Sequence, residues 1–372
     1  MRGFTKGTFM TNRERERYTL DFKSPGDRGS VEETFFPWNI TLERFISEGV
    51  PADIMESEYE SPYPMAERYI RIGWGKGILN YEKYFGFDAV RRIGVMLPFR
   101  CIEDEYKELL PQKVECEADW EKLKEYSDRI FEKHFTDEII SALCTPLQSA
   151  HKAGEYSIRL NLEGFFWTPR TLFGIEEHLY AFYDYPELMH DMCSYILDAY
   201  MKYLPKILKI IPADVVYIME DLSGKTGPML SHSMFDEFLG TYYKKLIPML
   251  KACGVGNVFV DTDGDFKTLI PNFIAAGVDG FLPMDVNAGM DIVAVREEFP
   301  SLKFIGGYNK LSIAEGKDAI DKEFKRIMPV IKKGGFIPGA DHQVAPSTSL
   351  ENYKYYIEKL KEAMKHCGEC VM

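Results

Sequence analysis

The chain has 372 residues, 45% hydrophobic and 14% aromatic, enough to build a large core, so disorder is excluded. Lys and Arg total 45 against 58 Asp and Glu, a formal net charge of −13 that repels nucleic-acid phosphates and anionic membrane surfaces. The seven cysteines are odd in number and scattered, as suits reduced thiols, and the opening MRGFTKGTFMTNRERERY has no apolar signal core, so a cytoplasmic protein without a membrane span is expected.

Residues 1–70, rich in Gly, Pro and charge, read as an N-terminal extension that folds over a barrel formed by residues 71–372. Candidate strands then come at Arg92–Leu97 (RIGVML) and Lys113–Cys116, with a helix over Asp119–Phe131. After residue 155 the order becomes regular. Short β-branched or aromatic runs stand at Tyr156–Leu162, Asp214–Met219, Asn257–Val260, Val278–Leu282, Leu302–Ile305 and Gly335–Ile337. Between them lie helical patterns. Pro186–Ile211 repeats apolar residues near a 3.6 period, and Ser231–Ala252 does the same before Gly254, a suitable helix C-terminus. Further helices are expected at Phe266–Ala276, Asp291–Glu298, Ser312–Lys333 and Ser349–His366. Strands alternating with helices of this length imply right-handed βαβ units, and six of them without a composition break predict a single (β/α)8 barrel. A lone CxxC, Cys367 and Cys370, has no second cysteine pair to complete a zinc site.

In a (β/α)8 barrel the residues just past each strand face the mouth. Those positions hold Glu163, Trp167 and Arg170, then Glu220 and Asp221, then Asp261, Asp263 and Asp265. Met284 and Asp285 follow the next run, then Tyr308, Asn309 and Lys310, and finally Asp341 and His342. Any one of these acids can serve as a helix N-cap, and Asp265 before FKTLI reads as one. Their convergence suggests chemistry, because carboxylates and an imidazole held together shift one another's pKa toward neutrality. Glu220, Asp263 and His342 are therefore the expected catalytic residues. Glu163, Trp167, Met284 and Tyr308 are expected to line the substrate pocket. Whether a metal is held is left open; if one is, its ligands would come from Glu220, Asp261, Asp263 and His342.

The segments MEDLSGKTGPMLSHSMFDEF, DTDGDFKTLIPNFIAAGVDGFLPMDVNAGMD, KFIGGYNK and GGFIPGADHQVAPSTSLENYKYY, in this order and spacing, resemble the uroporphyrinogen decarboxylase family. The resemblance runs along essentially the whole chain and implies a (β/α)8 barrel with a deep mouth. The family's decarboxylases carry an arginine-rich RxAGRYxPEY segment and a nearby aspartate; here the corresponding stretch reads EETFFPWNITLERFISEGVP and has neither. A substrate with eight carboxylates needs several cations. The family's other branch passes methyl groups to or from corrinoid proteins, and its thiol-specific members hold zinc on a His-x-Cys-Gly motif and a later Cys. This chain has Asp261-Thr262-Asp263-Gly264 at the first place and Ala340 or Asp341 at the second, so soft thiolate ligands are missing. The resemblance thus implies a methyltransferase that demethylates a small substrate, with a corrinoid protein as partner and methyl acceptor and no tightly bound cofactor of its own. The alternatives are decarboxylation of uroporphyrinogen or another carboxylate, and a barrel that only binds a small molecule.

Overall fold

The structure, a computed structural model, describes residues 10–55, 63–72 and 78–370, so residues 1–9 and 56–62 of the expected extension lie outside it. Eight strands form one sheet in chain order: β1 (Ile70–Ile72), β2 (Val90–Val95), β3 (Ser157–Glu163), β4 (Val215–Met219), β5 (Asn257–Asp261), β6 (Gly280–Leu282), β7 (Lys303–Tyr308) and β8 (Phe336–Ala340). All six strands expected after residue 155 are present, parallel and in register with their sequence neighbours.

The first half departs from expectation. Lys113–Cys116 is a loop, pinned where the Val114 N–H donates to the Leu172 carbonyl (2.9 Å). The second early strand is instead β1, whose three residues are too few to show a period, and it runs antiparallel to β2. The expected Ser312–Lys333 helix divides at Gly316 (φ 105°) into Leu311–Glu315 and Lys317–Lys333. The Ser231–Ala252 helix carries a π turn at Asp236–Gly240.

Side-chain alternation separates two cores. Ile158, Leu160, Leu162, Val216, Ile218, Val258 and Val260 face outward, into the layer under the helices. Val215, Tyr217, Phe259, Leu282, Ile305 and Ile337 face inward and form a second cluster with Leu20 of α1 (Asn12–Leu20). Side chains of β4 and β8, strands far apart in the sheet order, meet in that cluster, so the sheet curls around it.

Among the described residues no backbone ladder joins β8 to β1 or β2. Residues 31–34 stand there instead. The Val31 carbonyl accepts from the Asp88 N–H (2.7 Å), the Thr34 carbonyl from Arg92 (3.2 Å), and Glu33 Oε1 from the Ala340 N–H (2.8 Å). Gly339 makes this approach possible, since a Cβ there would lie 2.5 Å from Thr34 Oγ1. Inside the sheet the buried Arg159 of β3 donates to Glu16 of α1 (2.5 Å), to Glu32 (2.5 Å) and to the Tyr217 hydroxyl. These contacts tie the first described residues to the strands. Among the described residues no helix is long and apolar enough to cross a membrane.

Candidate active site at the strand ends

Strand register decides which residues reach the mouth. Glu163 is level with Met219, Met219 with Asp261, and Asp261 with Leu282. All four share the inward parity of Tyr217, Phe259 and Leu282, so they form one row across the sheet. Asp263 stands two residues beyond Asp261, on the same side.

Asp263 meets His342 across the mouth, Oδ2 to Nε2, at 3.7 Å. The Gln343 backbone N–H donates to His342 Nδ1 (2.8 Å). In the neutral ring the proton therefore sits on Nε2, the nitrogen that faces Asp263. Burial, with the negative charges of Asp221 and Asp285, raises the Asp263 pKa against the opposing pull of His342 and Lys310. Asp261 is pushed well above the carboxylate range by burial and by Asp263 and Asp221. Two backbone positions here are held in the left-handed region, Asp221 (φ 43°) and Met284 (φ 60°), an unfavourable conformation that the surroundings must impose.

Other polar groups of the mouth are paired. Arg100 Nε donates to Glu163 Oε1 (3.0 Å), and burial raises the Glu163 pKa against the pull of Arg100. Arg170 donates to the Asp221 carbonyl (2.6 Å) and to its Oδ2 (3.1 Å), and the guanidinium lies 5.5 Å from the Trp167 ring centre. Asp341, fully buried, accepts from the backbone N–H groups of Val286 (2.9 Å) and Lys310 (3.1 Å), with Lys310 Nζ at 3.6 Å. It clamps the loops after β6 and β7 together. Asp285 caps the turn after it, accepting from Asn287 (3.1 Å) and Ala288 (3.2 Å).

Three expected site residues sit elsewhere. Glu220 has the outward parity of Val216 and Ile218 and is wholly buried, so it does not join Asp263 and His342 in the open mouth. Its carboxylate accepts from the backbone N–H groups of Phe165 (3.0 Å), Phe166 (2.7 Å) and Trp167 (3.1 Å) and from the Tyr243 hydroxyl (2.5 Å). Burial pushes it up to about 7 although all four donors favour the charged form. Gly164 leaves room for it, because a Cβ there would lie 2.1 Å from the carboxyl carbon. Tyr308 also points outward, its ring 4.8 Å from those of Phe324 and Tyr356, and is not a wall of the mouth. Met284 is fully buried in the helix-side core.

Zinc of the family's thiol-activating branch does not fit these residues. Glu220 has no free oxygen to offer, and among the described residues no group of three or more His, Cys, Asp or Glu side chains is assembled to hold a metal ion.

Arg100, Phe35 and Trp38 complete the mouth and were not anticipated. The rings of Phe35 and Trp38 lie 5.4 Å and 6.4 Å from that of His342. Both sit in the stretch read only as an extension, where no strand-end rule marks them. A groove of about 550 Å³ starts beside them, lined by Trp38, Asn39, Ile40, Gln343 and Pro346. A larger one, about 770 Å³, lies on the outer helices around Phe324 and Met328 and holds none of the strand-end residues.

Residues 112–363 match the sequence profile of the uroporphyrinogen decarboxylase (URO-D) family. The chain belongs to that family. No curated protein matches it. Among solved structures, a methyltransferase from Methanosarcina mazei aligns over 95% of this chain and 99% of its own, with a TM-score of 0.54 and 15% identity. A B12-independent methionine synthase from Shewanella sp. W3-18-1 aligns over 62% of this chain and 65% of its own, with a TM-score of 0.37 and 13% identity. At these identities the first likeness speaks for the fold, and the second carries no argument. URO-D membership accounts for the mostly parallel eight-stranded sheet and makes the strand-end residues of this chain the place to look for its chemistry.

Proposed function

We propose that this URO-D family protein is a methyltransferase-type enzyme that demethylates a small substrate, with a corrinoid protein as the methyl acceptor. The observation that carries the reading is the Asp263–His342 pair at 3.7 Å among further carboxylates. The electron pair of the broken carbon–oxygen or carbon–nitrogen bond stays on the leaving atom. Asp263, its pKa raised by burial and the neighbouring carboxylates, is the group that protonates that atom, and the Nε2–H of His342 steadies the carboxylate left behind. Glu220 acts as a positioning residue, fastening residues 165–167 and hence Trp167 at the edge of the mouth.

A corrinoid supplies the nucleophile that takes the methyl group. The exposed apolar side chains of Trp38, Ile40 and Leu311, beside the strand-end residues, suit docking of a protein that carries it. The decarboxylase alternative is disfavoured because Arg100, Arg170 and Lys310 are each already engaged by a carboxylate. The test supplies the protein with methyl-labelled small donors and a corrinoid protein and, separately, with uroporphyrinogen. Label on the corrinoid protein is expected; formation of coproporphyrinogen would overturn the proposal.

A further inference from the structure

Two exposed surfaces take no part in the chemistry of the mouth, and they are opposite in charge. One is the helix Ile175–Asp184, between β3 and β4, which buries His178, Ala181 and Phe182 on its inner face. Its outer face is apolar as well, with Tyr180 and Tyr183 67% and 73% exposed and Ile175 and Tyr185 open beside them. A helix that is apolar all round belongs in an interior. The same stretch is acidic. No lysine or arginine occurs between Arg170 and Lys202, and Glu176, Asp184 and Glu187 make no ion pair among the described residues.

The other surface is the groove of about 770 Å³ on the outer helices. It runs between the helices Lys317–Lys333 and Leu350–Ala363, which flank β8 in the chain, and Phe324, Met328 and Pro329 line it. In a chain of net charge −13 its rim is basic, with Lys325, Lys332, Lys333 and Lys359 against Asp321 and Glu362. Lys359 stands 3.4 Å from Asp321 and 3.6 Å from Glu362, and Lys332 is 3.4 Å from Glu369. Lys325 and Lys333 have no acidic partner among the described residues.

Tyrosines bordered by unpaired carboxylates thus match an apolar groove bordered by unpaired lysines. Aromatic side chains seated in a pocket with a polar rim are the usual anatomy of a protein–protein contact. One chain cannot make this contact with itself. The helix stands on the β3–β4 side of the curled sheet and the groove beside β8, four strands further along the sheet order. Two copies of net charge −13 repel at long range, but physiological salt confines that repulsion to about 8 Å, so the charges that face each other decide.

We infer that the Ile175–Asp184 helix of one copy docks in the groove between Lys317–Lys333 and Leu350–Ala363 of a second copy of this chain. The two halves of the contact are different surfaces, so it runs head to tail. A pair joined this way keeps a free helix at one end and a free groove at the other. None of this depends on the methyl-transfer reading.

The mass of the full chain is measured by sedimentation equilibrium from about 1 to 100 µM, the range in which a micromolar contact fills. It is expected to rise above the mass of one chain as concentration increases. Two double variants separate the halves: Tyr180→Ser with Tyr183→Ser on the helix, and Lys325→Glu with Lys333→Glu on the groove. Each alone is expected to stay monomeric. Mixed in equal amounts they are expected to form pairs and nothing larger, because the mixture joins one intact helix to one intact groove. That recovery also shows that both variants are folded. A parent chain that stays monomeric over this range overturns the inference and leaves the groove to a different partner. So does a variant that assembles like the parent, or a mixture that stays monomeric while the parent assembles.

Discussion

His342 and Asp263 face each other across the strand ends with 3.7 Å between Nε2 and Oδ2, and the Gln343 N–H on Nδ1 fixes which nitrogen of the ring carries the proton. The imidazole is set up to donate from Nε2, and burial with Asp221 and Asp285 raises the pKa of Asp263, the group proposed to carry the transferred proton. Activity that needs that proton is therefore full at low pH and falls as pH rises through the raised pKa of Asp263. A single descending limb in the pH–rate profile, abolished in Asp263→Asn together with the activity, checks this.

Stability carries a related signature at Glu220. Its folded pKa of about 7 lies above the ordinary 4.5, so the folded state holds the proton more tightly than the unfolded chain. That contribution is complete below about pH 4.5 and is lost as pH rises through about 7. Glu220→Gln removes the dependence but faces backbone N–H donors with an amide N–H₂. Leaving one or two buried donors unsatisfied costs about 1–3 kcal/mol each, so unfolding in urea should shift clearly to lower concentration.

Gly164 gives a test of the same arrangement from the backbone side. In Gly164→Ala the new Cβ would sit 2.1 Å from a carboxyl carbon that four donors hold in place. We expect a loss of about 2 kcal/mol or more, at the upper end of overpacking. Gly224→Ala meets nothing within 4 Å and should melt within a few degrees of the parent. Equal melting temperatures for the two variants would show that Glu220 is free to move.

The six later strands were readable because each is a short β-branched or aromatic run bounded by helical periodicity. Strand-end position also marked Asp261, Asp263 and His342. Parity was harder to read. One residue separates Asp221, which faces the mouth, from Glu220, which does not, and a run such as VVYIMED does not announce where the strand stops alternating. Tyr308 fell to the same one-residue difference. Phe35, Trp38 and Arg100 were not legible because they come from loops and short turns, where position in space depends on long-range contacts such as Glu33 with Ala340. The two residues nearest His342 on its aromatic side thus came from the stretch with the least regular pattern.

Arg159 tests how the first described residues hold to the sheet. It is fully buried and neutralises Glu16 and Glu32, and Arg159→Met leaves both carboxyls buried with no cation. Breaking a buried ion pair from one side costs about 3–5 kcal/mol. The variant should be the least stable of this set in urea, and less so at low pH, where Glu16, raised to about 7 in the folded protein, takes up a proton.

The assignment of chemistry to the Asp263–His342 pair is tested most directly by measuring turnover and melting temperature together on Asp263→Asn and His342→Ala. Transfer of labelled methyl to the corrinoid protein should fall by roughly 100-fold or more in each, the usual contribution of a positioned acid or base. Both side chains are partly open to solvent, at 42% and 35%, so stability should move by no more than about 0.5 kcal/mol. Undiminished transfer in either variant, or a large drop in melting temperature with transfer preserved, would contradict the assignment and return the pair to a structural role.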